Sequence, residues 1–101
     1  MAEFVKVAQA SEVPEGKIKK AVVKGQEIAL YNVEGKLYAT TNICPHQGGP
    51  LDEGELDGDT IVCPWHGWMF KVPDGCLVMN PRITLRTYEL KVDNDTIYIN
   101  L

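Results

Sequence analysis

Histidine and cysteine are scarce here: two histidines and three cysteines in 101 residues. Other things are missing outright. No run of 18 or more apolar residues occurs, which excludes a membrane-spanning helix. Met1–Lys6 shows no basic region followed by an apolar stretch, so no signal peptide is visible. The expected compartment is therefore the cytoplasm, where thiols stay reduced and serve as ligands rather than in disulfides. Basic charge is also short, ten Lys and Arg against fourteen Asp and Glu for a net charge of −4, which disfavours nucleic acid as a partner. No segment sustains helical periodicity over three turns, and there is no linker, repeat or low-complexity tract. The length fits one domain with a small core.

What is present is strand periodicity. Ile97, Ile99 and Leu101 alternate with Thr96, Tyr98 and Asn100. Tyr88, Leu90 and Val92 alternate with Glu89 and Lys91, and Val5 and Val7 flank Lys6. Alternation of β-branched and aromatic residues with polar ones predicts half-buried strands. Turn signals recur at Glu15-Gly16, Lys24-Gly25, Glu34-Gly35, Pro73-Asp74-Gly75 and Asp93-Asn94-Asp95. The expected fold class is all-β, an antiparallel sandwich or barrel. From about Asn42 to Pro73 the pattern gives way to loops rich in Gly, Pro and acids, with Thr60–Val62 and Met69–Lys71 as the only strand-like pieces. The chain thus reads as one domain, 1–101. Residues 1–41 and 74–101 form its base, and a small metal-binding subdomain is inserted at 42–73.

That insertion holds both histidines and all but one of the cysteines. Cys44-Pro45-His46 is followed after sixteen residues by Cys63-Pro64-Trp65-His66. One or two residues between Cys and His put both donors on one side of a tight loop, which Pro45 stiffens by fixing φ. Gly48, Gly49 and Gly67 permit close backbone approach beside it. Two thiolates and two imidazoles suffice for several centres. A Cys2His2 zinc site is one, although classical fingers pair Cys with Cys and His with His. A Cys44–Cys63 disulfide with two incidental histidines is another. A [2Fe–2S] cluster with two Cys on one iron and two His on the other is the third.

Cys44-Pro45-His46-Gln47-Gly48-Gly49-Pro50-Leu51 with Cys63-Pro64-Trp65-His66-Gly67-Trp68 resembles the two cluster loops of the Rieske family, and more narrowly the small Rieske-type ferredoxins of bacterial ring-hydroxylating dioxygenases. The resemblance implies a [2Fe–2S] cofactor with Cys44 and Cys63 on the inner iron. His46 and His66 would hold the outer iron through Nδ1, their ring edges forming the electron exit. It implies a one-electron carrier rather than an enzyme. The expected partners are a flavin-containing reductase as donor and a terminal oxygenase as acceptor, in transient contact, with neither nucleic acid nor membrane involved. The same resemblance extends to small Rieske subunits of assimilatory nitrite reductases. A zinc-stabilised interaction module is the rival of a different class.

Departures from the respiratory Rieske proteins carry expectations of their own. Their extra loop cysteines, joined as a disulfide, match Gly49 and Trp65, so that bridge cannot form here. Their Ser and Tyr, which hydrogen-bond to sulfur, match Trp68 and Phe70. Fewer hydrogen bonds to sulfur stabilise the reduced cluster less, which places the potential near the low end of the Rieske range, about −150 mV. Even that value lies above an all-cysteine cluster, because two thiolates and two neutral imidazoles leave the oxidised centre uncharged. The potential should fall as pH rises where the histidines titrate. Cys76 reads as a small buried strand residue, or as a second site or redox thiol, Trp65 and Trp68 as shields or packing, and Pro81 as part of a covering loop or a plain turn. The acidic run Asp52, Glu53, Glu55, Asp57 and Asp59 reads as solvated surface, or as steering for a basic partner.

Overall fold

The alternation of β-branched and aromatic residues with polar ones is realised as strand after strand in the computed structural model, which describes residues 4–44, 48–65 and 67–100. β1 (Phe4–Gln9) leads through a 3-10 turn to the meander β2 (Ile18–Val23), β3 (Gln26–Val33) and β4 (Lys36–Thr41). After the first cysteine loop come β5 (Glu55–Asp57) and β6 (Thr60–Val62), and after the second come β7 (Met69–Lys71), β8 (Cys76–Leu77) and β9 (Asn80–Thr84). β10 (Thr87–Tyr88), β11 (Leu90–Asp93) and β12 (Thr96–Asn100) complete the described chain. Among the described residues these strands form three antiparallel sheets, ordered β1-β12-β11, β10-β4-β3-β2 and β5-β6-β7-β8-β9.

The hairpins are set by their turns. Lys24-Gly25 and Glu34-Gly35 take φ of 50 and 79° and of 52 and 91°, the paired left-handed conformation of a two-residue turn whose twist matches the flanking strands. The register Val23↔Gln26 and Val33↔Lys36 follows directly. Asn94-Asp95 does the same between β11 and β12, with φ of 50 and 64°.

β3 carries the architecture. Its Ile28, Ala29, Leu30 and Tyr31 are all buried, on both faces of the strand. Ile28 and Leu30 pack with Val13, Ile97 and Ile99 in a core between the first two sheets. Ala29 and Tyr31 point the other way, toward Leu51, Ile61, Phe70, Val72 and the thiols of Cys44 and Cys63. Successive strand residues face opposite sides, so one strand supplies both cores.

Several sequence expectations are corrected. Tyr88, Leu90 and Val92 do not form one strand. The chain changes sheets at Glu89: Tyr88 pairs with Ala39, whereas Leu90–Asp93 pair with β12, and Val92 is exposed. The acidic run contains a strand the charge pattern concealed, β5, in which Leu56 is the inward residue between exposed Glu55 and Asp57. Pro81 lies in β9 rather than in a loop or plain turn, and it is tolerated there because β9 is the edge of its sheet. Beside β7 in the same sheet, Phe70 pairs with Leu77 and Cys76 with Thr84. Leu101 lies outside the described residues.

Candidate metal centre

The first cysteine loop leaves β4 and returns to a 3-10 turn, Leu51–Glu53, and Asn42 closes its base. Asn42 is fully buried. Its Nδ2 donates to Asp52 Oδ1 at 2.7 Å and its Oδ1 accepts the Asp52 N–H at 2.8 Å. Its backbone N–H donates to the Glu27 carbonyl at 3.0 Å and its own carbonyl accepts the Leu51 N–H at 2.9 Å. Both ends of the loop are therefore fixed to each other and to β3. Sequence reasoning missed Asn42, because one Asn before a cysteine motif carries no signal of how far away its partners lie.

Within this frame the two loops close alike. The Cys44 N–H donates to the Gly49 carbonyl at 2.9 Å, and the Cys63 N–H donates to the Trp68 carbonyl at 2.7 Å, five residues on in each case. The loops thus close over the same span despite their different Cys-to-His spacing. Gly48, at φ 76°, turns the first loop back, and its N–H donates to the Cys44 carbonyl at 2.8 Å. A side chain there would force the left-handed region. Gly67 has φ 71° in the second loop.

The structure brings Cys44 and Cys63 together. Each is about 1% exposed, both are free thiols, and their sulfurs are close enough to share a hydrogen bond. Burial pushes the Cys63 thiol above its ordinary range. The Trp65 backbone N–H bonded to its sulfur pulls it down, and the neighbouring Cys44 thiol pushes it up again. A desolvated thiol such as Cys63 is a poor acid on its own; a bound cationic centre would reverse that balance and take the place of the proton. The donor chemistry, the tight loops and the N–H directed at sulfur fit an iron–sulfur centre. His46 and His66, the other two predicted ligands, lie outside the described residues, as do Pro45 and Gln47. Among the described residues no set of three metal-binding side chains forms.

The surroundings are apolar on one side and acidic on the other. Phe70 is fully buried, and Trp68 packs against the same core with its ring 6.3 Å from that of Phe70. Neither supplies the hydroxyl that a Ser or Tyr would. Glu53 and Glu55 line a shallow groove with Val62, Cys63, Pro64 and Gly67, so part of the acidic run borders the second loop. Asp52, by contrast, is committed to Asn42. Cys76 stands apart from the other two thiols, half-buried in β8, and its N–H donates to Asp74 Oδ1 at 3.0 Å.

Similarity to known proteins agrees with this geometry. Residues 3–89 match the model of the Rieske [2Fe-2S] domain. The chain is 38% identical over 91 residues to the ferredoxin component of the naphthalene 1,2-dioxygenase system of Pseudomonas aeruginosa, covering 89% of this chain and 88% of that one. It is 36% identical over 98 residues to ferredoxin CarAc of Metapseudomonas resinovorans, covering 95% and 92%. Among solved structures, the Sphingomonas yanoikuyae B1 ferredoxin superposes with a TM-score of 0.90 at 28% identity, covering 98% and 99%. A chain from the complex of reduced oxygenase and oxidized ferredoxin in carbazole 1,9a-dioxygenase gives 0.86 at 36% identity, covering 96% and 92%.

Proposed function

This chain belongs to the Rieske [2Fe-2S] domain family, and from that premise we propose how its residues perform the family's chemistry. It is a one-electron carrier, the ferredoxin component of a ring-hydroxylating dioxygenase system rather than the catalyst. It takes one [2Fe–2S] cluster as cofactor, which supplies a centre that changes oxidation state by one electron without binding substrate.

We assign Cys44 and Cys63 to one iron and His46 and His66 to the other. The observation that carries this is the pair of buried, mutually facing thiols at the mouths of two loops closed by the same hydrogen bond. The family motif supplies the histidines. We assign 1–101 to one domain, with 42–73 as the cluster-binding subdomain and 1–41 and 74–101 as its base. The protein's own contribution is to hold the thiolates dry, to fix the loop backbone and to direct the Trp65 backbone N–H at the Cys63 sulfur. With apolar Phe70 and Trp68 beside the loops, the potential falls at the low end of the Rieske range, about −150 mV.

The acceptor is the terminal oxygenase of such a system, and the donor a flavin-containing reductase. The groove bearing Glu53 and Glu55 beside the second loop supports docking to a basic face, with the weak, small contacts usual for redox encounters. The working location is the cytoplasm; no described helix is long and apolar enough to cross a membrane. The relatives' dioxygenase-system names favour this role over a nitrite reductase subunit or a zinc module.

The test is a visible spectrum of freshly purified protein before and after dithionite, with EPR on the reduced sample. A red-brown protein that bleaches and gives a Rieske signal is expected, with the colour lost in C44S, C63S, H46A and H66A. A colourless protein with one stoichiometric zinc would end the electron-carrier reading.

A further inference from the structure

The two cysteine loops meet along a seam between Gly49 and Trp65. Gly49, in the first loop, is buried, and its backbone is outside the left-handed region. Its lack of a side chain is therefore not required by φ. The space is what requires it: a Cβ at 49 would stand 3.0 Å from Trp65 Cγ, 3.1 Å from Trp65 Cδ2 and 3.1 Å from Cys63 Sγ. All three atoms belong to the second loop. The Trp65 ring thus sits against the backbone of the first loop, in the place a side chain would occupy, and next to the Cys63 sulfur. Trp65 is 47% exposed while Cys63 is 1% exposed. One part of the indole meets solvent and the other meets the seam.

We propose that Trp65, seated on Gly49, is a positioning residue that locks the two loops together and screens the Cys63 side of the centre from water. This deepens the electron-carrier reading and rests on it. The physical argument has two parts. A rigid aromatic in van der Waals contact with the other loop ties the two half-sites without a covalent bond, at little conformational cost. Excluding water from sulfur disfavours the reduced state, which carries one more negative charge, and so holds the potential down.

The test uses the full chain carrying its cluster, with three readouts: rate of bleaching in the presence of a chelator, reduction potential by spectroscopic titration, and EPR g values. W65A is expected to bleach about tenfold faster, the lower end of what outer-shell substitutions cost a metal site, with a positive shift in potential. W65F, which keeps a ring on Gly49, should stay close to wild type in all three. G49A should shift the same readouts in the direction of W65A, because its methyl displaces the ring. The double variant G49A/W65A should be no worse than W65A alone, since the displaced ring is already gone.

Wild-type bleaching and potential in W65A would overturn the proposal. So would additive effects in the double variant, which would mean that the methyl acts on the Cys63 sulfur directly. If G49A fails to load a cluster, W65A against W65F still decides. A wild-type protein that stays colourless after anaerobic reconstitution would overturn the electron-carrier reading itself, a result distinct from either.

Discussion

The two cores that meet at β3 are built by different means. In the first, long ladders do the work: β2, β3 and β4 pair over whole strands, from Ile18↔Tyr31 to Val23↔Gln26 and from Ile28↔Thr41 to Val33↔Lys36. Apolar strand residues, Ile28, Leu30, Ile97 and Ile99, fill the space between two sheets. In the second core the ladders are three residues long or less around β5 to β8, and much of the covering is loop. Two of its buried residues are thiols. Apolar burial and hydrogen-bonded ladders stabilise the first unit. The second depends on loop closure by Asn42 and on whatever binds Cys44 and Cys63. The difference teaches where metal-linked stability resides, because a centre absent from the unfolded chain contributes its binding free energy to the part of the fold it joins.

Removing the cluster should therefore widen this difference most. Hydrogen exchange on protein stripped with dithionite and chelator is expected to show the amides of Ile61, Phe70 and Leu77 losing protection, while those of β1, β3 and β12 keep theirs. Equal loss in both regions would mean that the cores are one cooperative unit and that the contrast drawn above is false.

Core truncations sharpen the same contrast. Phe70→Ala should cost about 4 kcal/mol, and Ile99→Ala about 3 kcal/mol, both being fully buried large-to-small changes. Their signatures should differ. The first is expected to shed the cluster and alter the EPR spectrum; the second should lower the melting temperature with an unchanged spectrum. Asn42→Ala comes next, at about 2 kcal/mol, since it leaves the Asp52 N–H and carboxylate without their partner. Cluster half-life should fall with it, while Asn42→Asp should restore only the bond from the Asp52 N–H.

Legibility in the sequence followed the same divide. The base hairpins were readable, because Lys24-Gly25, Glu34-Gly35 and Asn94-Asp95 are local signals for turns that local sterics decide. The all-β class and the Rieske membership were readable too, the latter from ligand spacing and flanking glycines. What hid was non-local. β5 hid because charge masks a strand whose one inward residue is Leu56. The break at Glu89 hid because alternation runs unchanged through a residue at which the chain swaps sheets. β9 hid behind Pro81, which reads as a turn unless the strand is known to lie at an edge. Asn42 hid because it is defined by a partner on another segment, whereas the pairing of Gly49 with Trp65 was foreshadowed by the cysteine positions they match, and only the ring's seat on the glycine was not.

Tyr31 provides the mildest probe, because it stands on the shared strand and belongs to the second core. Its hydroxyl and Thr40 Oγ1 are 2.8 Å apart and fully buried. Phenylalanine there loses this bond while Thr40 keeps its donation to the Thr41 carbonyl at 2.9 Å, so Tyr31→Phe should cost about 1 kcal/mol at neutral pH. Burial, opposed by the Thr40 bond and reinforced by the Asp52 charge, raises the Tyr31 pKa well above the ordinary tyrosine value. A folded pKa above the unfolded one means that the native state holds its proton more tightly. The associated stability is fully present below the ordinary value, about 10, and is lost as pH rises through the folded value. Wild type should therefore lose stability above about pH 10 more steeply than Tyr31→Phe, in which that group is absent. Chemical denaturation of both proteins at pH 8, 9.5 and 10.5 checks this, and the gap between them should narrow at the highest pH. A constant gap would show that Tyr31 ionises as freely in the folded protein as in the unfolded chain, and that the second core is open to water at β3.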